Sequence, residues 1–241
     1  MSELHRYATA NDLTEGAAQA LLEALVGLQS GGRVAELCLT GGRIANRVYE
    51  RLGALVEGSE LDPGRLELWW GDERFLPTDD PERNAGQTLA LLAGRFPLDP
   101  ARTHPMPSAD GVVDNGNSAA TYAKELGDTR FDICLLGLGE DGHVAGIFPG
   151  HASFEASTHT VIPVNDAPKP PAQRISVSME TIRSSREVWF LVSGREKAHA
   201  VARAFADDPS IPGGVARGTS RTLWFVDADA ATRINYYDCV F

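Results

Sequence analysis

The chain has 241 residues, 43% of them hydrophobic and 23% charged, enough for one sizeable core in an ordinary globular protein. A formal net charge of -11 argues against a nucleic-acid partner, because phosphate backbones are held by clustered Lys and Arg. An anionic small molecule stays admissible, since a few cations gathered in a cleft outweigh the global sign. The three cysteines, Cys38, Cys134 and Cys239, follow no ligand or disulfide spacing, and the first two sit in apolar runs as small reduced hydrophobes. The first residues carry no basic segment followed by an apolar one, and no apolar run approaches the ~20 residues of a membrane span. A cytoplasmic protein without a membrane partner is the expectation.

From the N-terminus, Asn11 or Asp12 can cap a helix reading DLTEGAAQALLEALVGLQ, with Leu13, Ala17, Ala20, Leu21, Ala24 and Leu28 on one face. RVAELCLTGG reads as a strand running into a double glycine, and RIANRVYERLGALV as a helix periodic through Ile44, Val48, Leu52 and Leu55. LELWW is a second strand, ending abruptly at a loop of Gly71, Asp72, Glu73 and Arg74. The polar loop PTDDPER leads to a helix over Asn84–Leu92, then to the connector FPLDPARTHPMPSADG and a helix over 118–126. FDICLLGLG is a third buried strand, followed by the Pro-rich loop VNDAPKPPAQR and the strand-like ISVSM. EVWFLVSG is a further strand with a helix over 195–205, and RTLWFVDADAA is the last.

Strands alternating with helical stretches of about 10 to 15 residues signal βαβ units on a mostly parallel sheet. The apolar runs are continuous, as strands covered on both faces require. The expected fold is a three-layer α/β, mostly parallel Rossmann-like sheet with helices on both faces, formed as a single domain over residues 1–241.

In an open α/β sheet the binding crevice lies beyond the carboxyl ends of the strands. Four strands here end in polar or glycine-rich loops: TGGR, GDER, GLGEDGH and SGREK. Thr40, Gly41 and Gly42 can offer backbone N–H groups and a helix N-terminus to an anion, or form a tight strand-to-helix turn. GLGEDG matches the dinucleotide fingerprint as a string, but it leads into His143 and a proline, so a nucleotide reading fails. In GDER, Arg74 can clamp a phosphate and Asp72 can orient a hydroxyl or act as a base; a surface ion pair explains the same string. Lys197 points either to the rim or to solvent, and Lys169 and Arg174 either reach an anion or belong to a rigid surface turn. His143 suits general acid–base work, with Asp141 fixing its tautomer or merely holding the turn. A satisfied structural histidine is the competing reading. The remaining histidines show no metal-ligand spacing, so no metal is expected.

Together, TGG, WWGDERFLPTDDPERNAG, LLGLGEDGHVAGIFPG, APKPPAQRISVS and SGREKAHAV resemble, in order and spacing, the 6-phosphogluconolactonases, which share a superfamily with the glucosamine-6-phosphate deaminases. The resemblance runs from the TGG turn to the last strand. It implies hydrolysis of 6-phospho-D-glucono-1,5-lactone to 6-phosphogluconate in the oxidative pentose phosphate pathway, with that sugar-phosphate lactone as the only partner. His143 would be the general base, with Asp141 as its possible orienter, and Asp72 the carboxylate near the sugar hydroxyls. Arg74 and Lys197 would bind the phosphate with the N–H groups of Gly41 and Gly42, helped by Arg174 and Lys169 beside the Thr40 turn. No cofactor is implied, and a monomer or weak homo-oligomer is expected.

The chain departs from the family pattern in two stretches. The family turn reads S-G-G-S-T, whereas Arg43 and Ile44 stand here in place of the last two hydroxyls, with Arg43 able to compensate. Gly146 replaces a serine that often follows DGHxA. A deaminase-like enzyme resembles the DGH loop but not the following IFPG and PKPP segments, and a non-catalytic sugar-phosphate module would lack His143 or Arg74. A hydrolase with a nucleophile elbow is excluded, for the chain has no G-x-S-x-G.

Overall fold

The structure is a computed structural model that describes residues 2–111 and 114–234. In chain order its elements are β1 (Ser2–Tyr7), α1 (Ala10–Gln29), β2 (Ala35–Leu39), α2 (Arg43–Val56), β3 (Leu66–Trp70), β4 (Asp72–Arg74), α3 (Asn84–Leu92) and β5 (Thr103–His104). There follow α4 (Asn115–Leu126), β6 (Ile133–Leu136), β7 (Val161–Val164), β8 (Arg174–Val177), α5 (Met179–Ser184), β9 (Glu187–Val192), α6 (Ala198–Phe205), α7 (Pro212–Val215) and β10 (Arg221–Asp227).

Seven strands form one parallel sheet in the order β1-β10-β9-β6-β2-β3-β5, flanked by helices, as the alternating pattern predicts. From β2 the chain steps outward through β3 to β5, then restarts at β6 and steps the other way through β9 and β10. The direction reverses between β2 and β6, and the crevice of such a sheet opens at that point. The inner strands are apolar on both faces; Phe190 of β9 stacks on Trp224 of β10 with ring centroids 3.7 Å apart. Burial of each such side chain stabilises by roughly 1.5–3 kcal/mol. Cys38 and Cys134 face each other on β2 and β6 as buried free thiols, while Cys239 lies outside the described residues. No helix among the described residues is long and apolar enough to cross a membrane.

Three differences from the sequence reading have physical reasons. Strand β1 is an edge strand with exposed and half-buried polar residues, so no apolar run announces it. Helix α1 is capped by Thr9 instead of Asn11 or Asp12: the Thr9 hydroxyl accepts from the Asp12 N–H, and the Asp12 carboxylate accepts from the Thr9 N–H at 3.0 Å. The GDER loop is a strand. β4 belongs to a second, antiparallel sheet, β4-β8-β7, in which Asp72 pairs with Ser176 and Arg74 with Arg174.

Candidate active site

A cavity of about 710 Å³ opens beyond the carboxyl ends of β2, β6 and β9, at the reversal of strand order. The turn of Thr40, Gly41 and Gly42 forms one wall, with Arg43 beside it. Asp72, Arg74 and Arg174 enter from the small sheet, Lys197 from the turn after β9, and His143 from the loop after β6. Asp141 and Lys169 are not on the wall; Asp141 stands beside His143, and Lys169 beside Asp141.

Two buried tyrosines hold the strand ends that carry this wall. Tyr49 of α2 accepts a hydrogen bond from the Thr40 N–H at 2.9 Å and donates to the Thr40 carbonyl at 2.8 Å. Tyr122 of α4 does the same for Trp70, at 2.9 and 3.2 Å. Thr40 itself is buried, and its hydroxyl accepts from the Gly137 N–H at 3.4 Å, linking the ends of β2 and β6. Gly42 precedes α2 without a side-chain cap, so the first N–H groups of the helix are left for a ligand.

The alternation of β4 sorts its three charges. Asp72 and Arg74 face the cavity, while Glu73, fully buried, turns the other way. Glu73 accepts hydrogen bonds from the N–H groups of Arg74, Asn84 and Ala85 at 2.8–2.9 Å, and so fixes the start of α3. That start carries Asn84, whose amide donates to the Asp72 carbonyl at 3.0 Å and packs against Gly41.

Arg74 and Arg174 lie directly opposite each other on β4 and β8, an arrangement that repels unless an anion sits between or beside them. Arg174 Nη1 is 3.8 Å from Asp72 Oδ2, and its Nη2 donates to the carbonyls of Lys169 and Pro170. The Nε of each arginine is buried without a partner among the described residues, which marks unfilled donor capacity at this wall. Burial pushes the Asp72 carboxyl above its ordinary pKa, against the attraction of Arg174, His143 and Arg74. Burial likewise draws the Lys197 ammonium down, against Glu140.

His143 Nδ1 meets Asp141 Oδ1 at 2.5 Å, and Lys169 Nζ approaches the same oxygen at 3.5 Å. Burial opposes ionisation of Asp141, but the hydrogen bond and charge of His143, joined by Lys169, hold its carboxyl well below the usual carboxylate range. An ionised Asp141 fixes Nδ1 as a donor, leaving Nε2 for the cavity. The ring is seated on Phe148 at 4.7 Å, and the guanidinium of Arg174 lies over the same phenyl ring at 5.5 Å. Gly139 makes room for the imidazole: a Cβ there would fall 1.9 Å from His143 Nδ1. Gly146 has a structural reason too, since its N–H donates to buried Ser176 Oγ at 3.0 Å and a Cβ would lie 2.8 Å from Ser176 Cβ.

Sequence reasoning missed Asn84, Arg47 and Glu196, which also line the cavity. Arg47 carries no local motif, whereas Asn84 lies within the string WWGDERFLPTDDPERNAG and Glu196 within SGREK as the neighbour of Lys197. No group of His, Cys, Asp or Glu among the described residues is arranged to hold a metal ion.

Fold and site thus define an α/β protein whose crevice at the switch point is lined by Arg74, Arg174 and Lys197 and holds His143 paired with Asp141. Residues 8–224 match the family model described as glucosamine-6-phosphate isomerases/6-phosphogluconolactonase, and the chain belongs to that family. It is 42% identical to the 6-phosphogluconolactonase of Streptomyces coelicolor over 92% of this chain and 90% of that protein. The crystal structure of a 6-phosphogluconolactonase from Thermotoga maritima superposes with a TM-score of 0.84 at 23% identity, covering 94% of this chain and all of that one. A monomeric glucosamine-6-phosphate deaminase superposes with a TM-score of 0.80 at 24% identity, covering 96% and 99% of the two chains. At such identities these two likenesses speak to the fold alone.

Proposed function

We propose that this protein hydrolyses 6-phospho-D-glucono-1,5-lactone to 6-phosphogluconate. The observation that carries the reading is His143, locked on one side by ionised Asp141 and facing on the other a cavity lined by Arg74, Arg174 and Lys197. His143 Nε2 takes a proton from a water as that water's oxygen bonds to the lactone carbonyl carbon. When the tetrahedral intermediate collapses, the bond from that carbon to the ring oxygen breaks, and the imidazolium returns the proton to the departing oxygen. Asp141 stabilises the imidazolium between these steps, with Lys169 holding Asp141 in place. Arg74, Arg174, Lys197 and the N–H groups at the start of α2 take the phosphate, and Asp72 orients sugar hydroxyls.

The fold does not choose between lactonase and deaminase, because solved examples of both superpose on it. The Streptomyces relative supports the lactonase. Freshly generated 6-phosphogluconolactone and glucosamine-6-phosphate, offered in parallel assays, decide between them: turnover of the lactone alone is expected, and turnover of the amino sugar alone would sink the reading. His143→Ala should fold normally and lose at least about 100-fold in kcat, the usual worth of a general base. Wild-type rates in that variant would remove the base assignment.

A further inference from the structure

The mouth of the cavity already holds an anion. Glu196 sits in the turn between β9 and α6, one residue before Lys197, and its carboxylate folds back over Gly194, where an added Cβ would lie 2.6 Å from Oε2. Its other oxygen faces Arg43 Nη2 at 3.7 Å across the mouth. Arg43 opens α2, the end of a helix where the dipole disfavours a cation. Arg47 stands one turn further along the same wall, so two like charges occupy positions i and i+4. Both placements cost helix stability, and with its side chain 95% exposed Arg43 gains nothing from packing. Glu140, Glu196 and Asp141 all draw on the charge of Lys197, while Lys169 repels it. The cations at this mouth are therefore partly neutralised by the protein's own carboxylates.

We propose that Glu196 sets the affinity for the phosphate: its carboxylate occupies the anion position between Arg43 and the Gly194 turn at rest, and the arriving phosphate displaces it. This rests on the sugar-phosphate reading of the site. No covalent bond changes; one anion exchanges for another. A phosphate dianion gains more from Arg43, Lys197 and the open N–H groups than a carboxylate does, so the exchange runs towards the phosphorylated ligand. An unphosphorylated lactone has nothing to exchange and leaves the Arg43–Glu196 pair closed. The pair thus discriminates by what it withholds from the wrong ligand.

Inorganic phosphate is the probe, its Kd read by calorimetry and its Ki read against lactone hydrolysis. Glu196→Gln should tighten both about threefold to tenfold and lower KM for the phosphorylated lactone in parallel, with the change in KM instead of kcat. Arg43→Ala should weaken both. Glu57→Gln removes the same charge from an exposed residue beyond the far end of α2, roughly 20 Å away by helix rise, and should move neither. Thermal melts confirm that each variant is folded. The proposal is overturned if Glu196→Gln leaves phosphate affinity unchanged or weakens it, or if Glu57→Gln reproduces the effect. Should Glu196→Gln tighten phosphate while the wild-type chain fails to hydrolyse the lactone, the exchange stands and the catalytic reading falls.

Discussion

At the scale of single residues, the site depends on side chains that are absent as much as on those present. Gly139 lies so close to the imidazole that an added methyl would meet His143 Nδ1 at 1.9 Å and Asp141 Oδ1 at 2.4 Å, the two atoms already bonded to each other. Neither can retreat without breaking that bond. Gly139→Ala should therefore lower kcat/KM by about 100-fold or more, the scale of a lost general base, while the melting temperature falls by only a few degrees. Near-normal turnover would mean that the His143–Asp141 pair is not needed in this geometry. The histidine itself was legible in GLGEDGH; the reason for its glycines was not, because close approach is a property of three dimensions. Gly146 is the same case: one letter departs from the family pattern, and only its contact with Ser176 on another strand accounts for it.

Elements decide which charges reach the cavity. In the string GDER, Asp72 and Glu73 look equivalent, and read as a loop they remain so. As a strand with a period of two, the same residues separate: Asp72 and Arg74 face the cavity while Glu73 holds the first N–H groups of α3 and lies 3.7 Å from Arg83. The large parallel sheet was readable because its apolar runs are continuous. The small antiparallel sheet was not, because its β4 is three charged residues long and gains its identity only by pairing with β8. Glu73→Ala would take the counter-charge from beside the buried Arg83 guanidinium and leave the N–H groups of Arg74, Asn84 and Ala85 without their acceptor. A loss of roughly 3–5 kcal/mol is expected, and a melting temperature lower by about 10 °C. Because Asn84 would lose its footing, KM for the phosphorylated lactone should rise as well. An unaltered melt would show that water replaces the carboxylate without cost.

Across the whole molecule, the net charge of -11 makes the cavity's concentration of cations stand out, and the carboxylate that answers them is held at a cost. Asp141 and Asp72 respond to pH in opposite senses. The Asp141 carboxyl is depressed in the folded state, so its stabilisation is present above the ordinary carboxylate range and is lost as pH falls through its folded value. Asp72 is raised, chiefly by burial, so the folded state binds its proton more tightly than the unfolded chain does. Its contribution therefore becomes unfavourable as pH rises from the ordinary aspartate value, about 3.9, through the raised one, and stays unfavourable at neutrality. Asp72→Asn keeps the shape and removes the buried charge. At pH 7 the variant should melt up to about 3 °C above the wild type while losing most of its kcat/KM, and below about pH 4 the two melts should converge. A variant that melts lower than the wild type at pH 7 would mean that attraction to Arg174 and Arg74 exceeds the cost of burial. In that case Asp72 would be a source of stability instead of a charge kept for its chemistry.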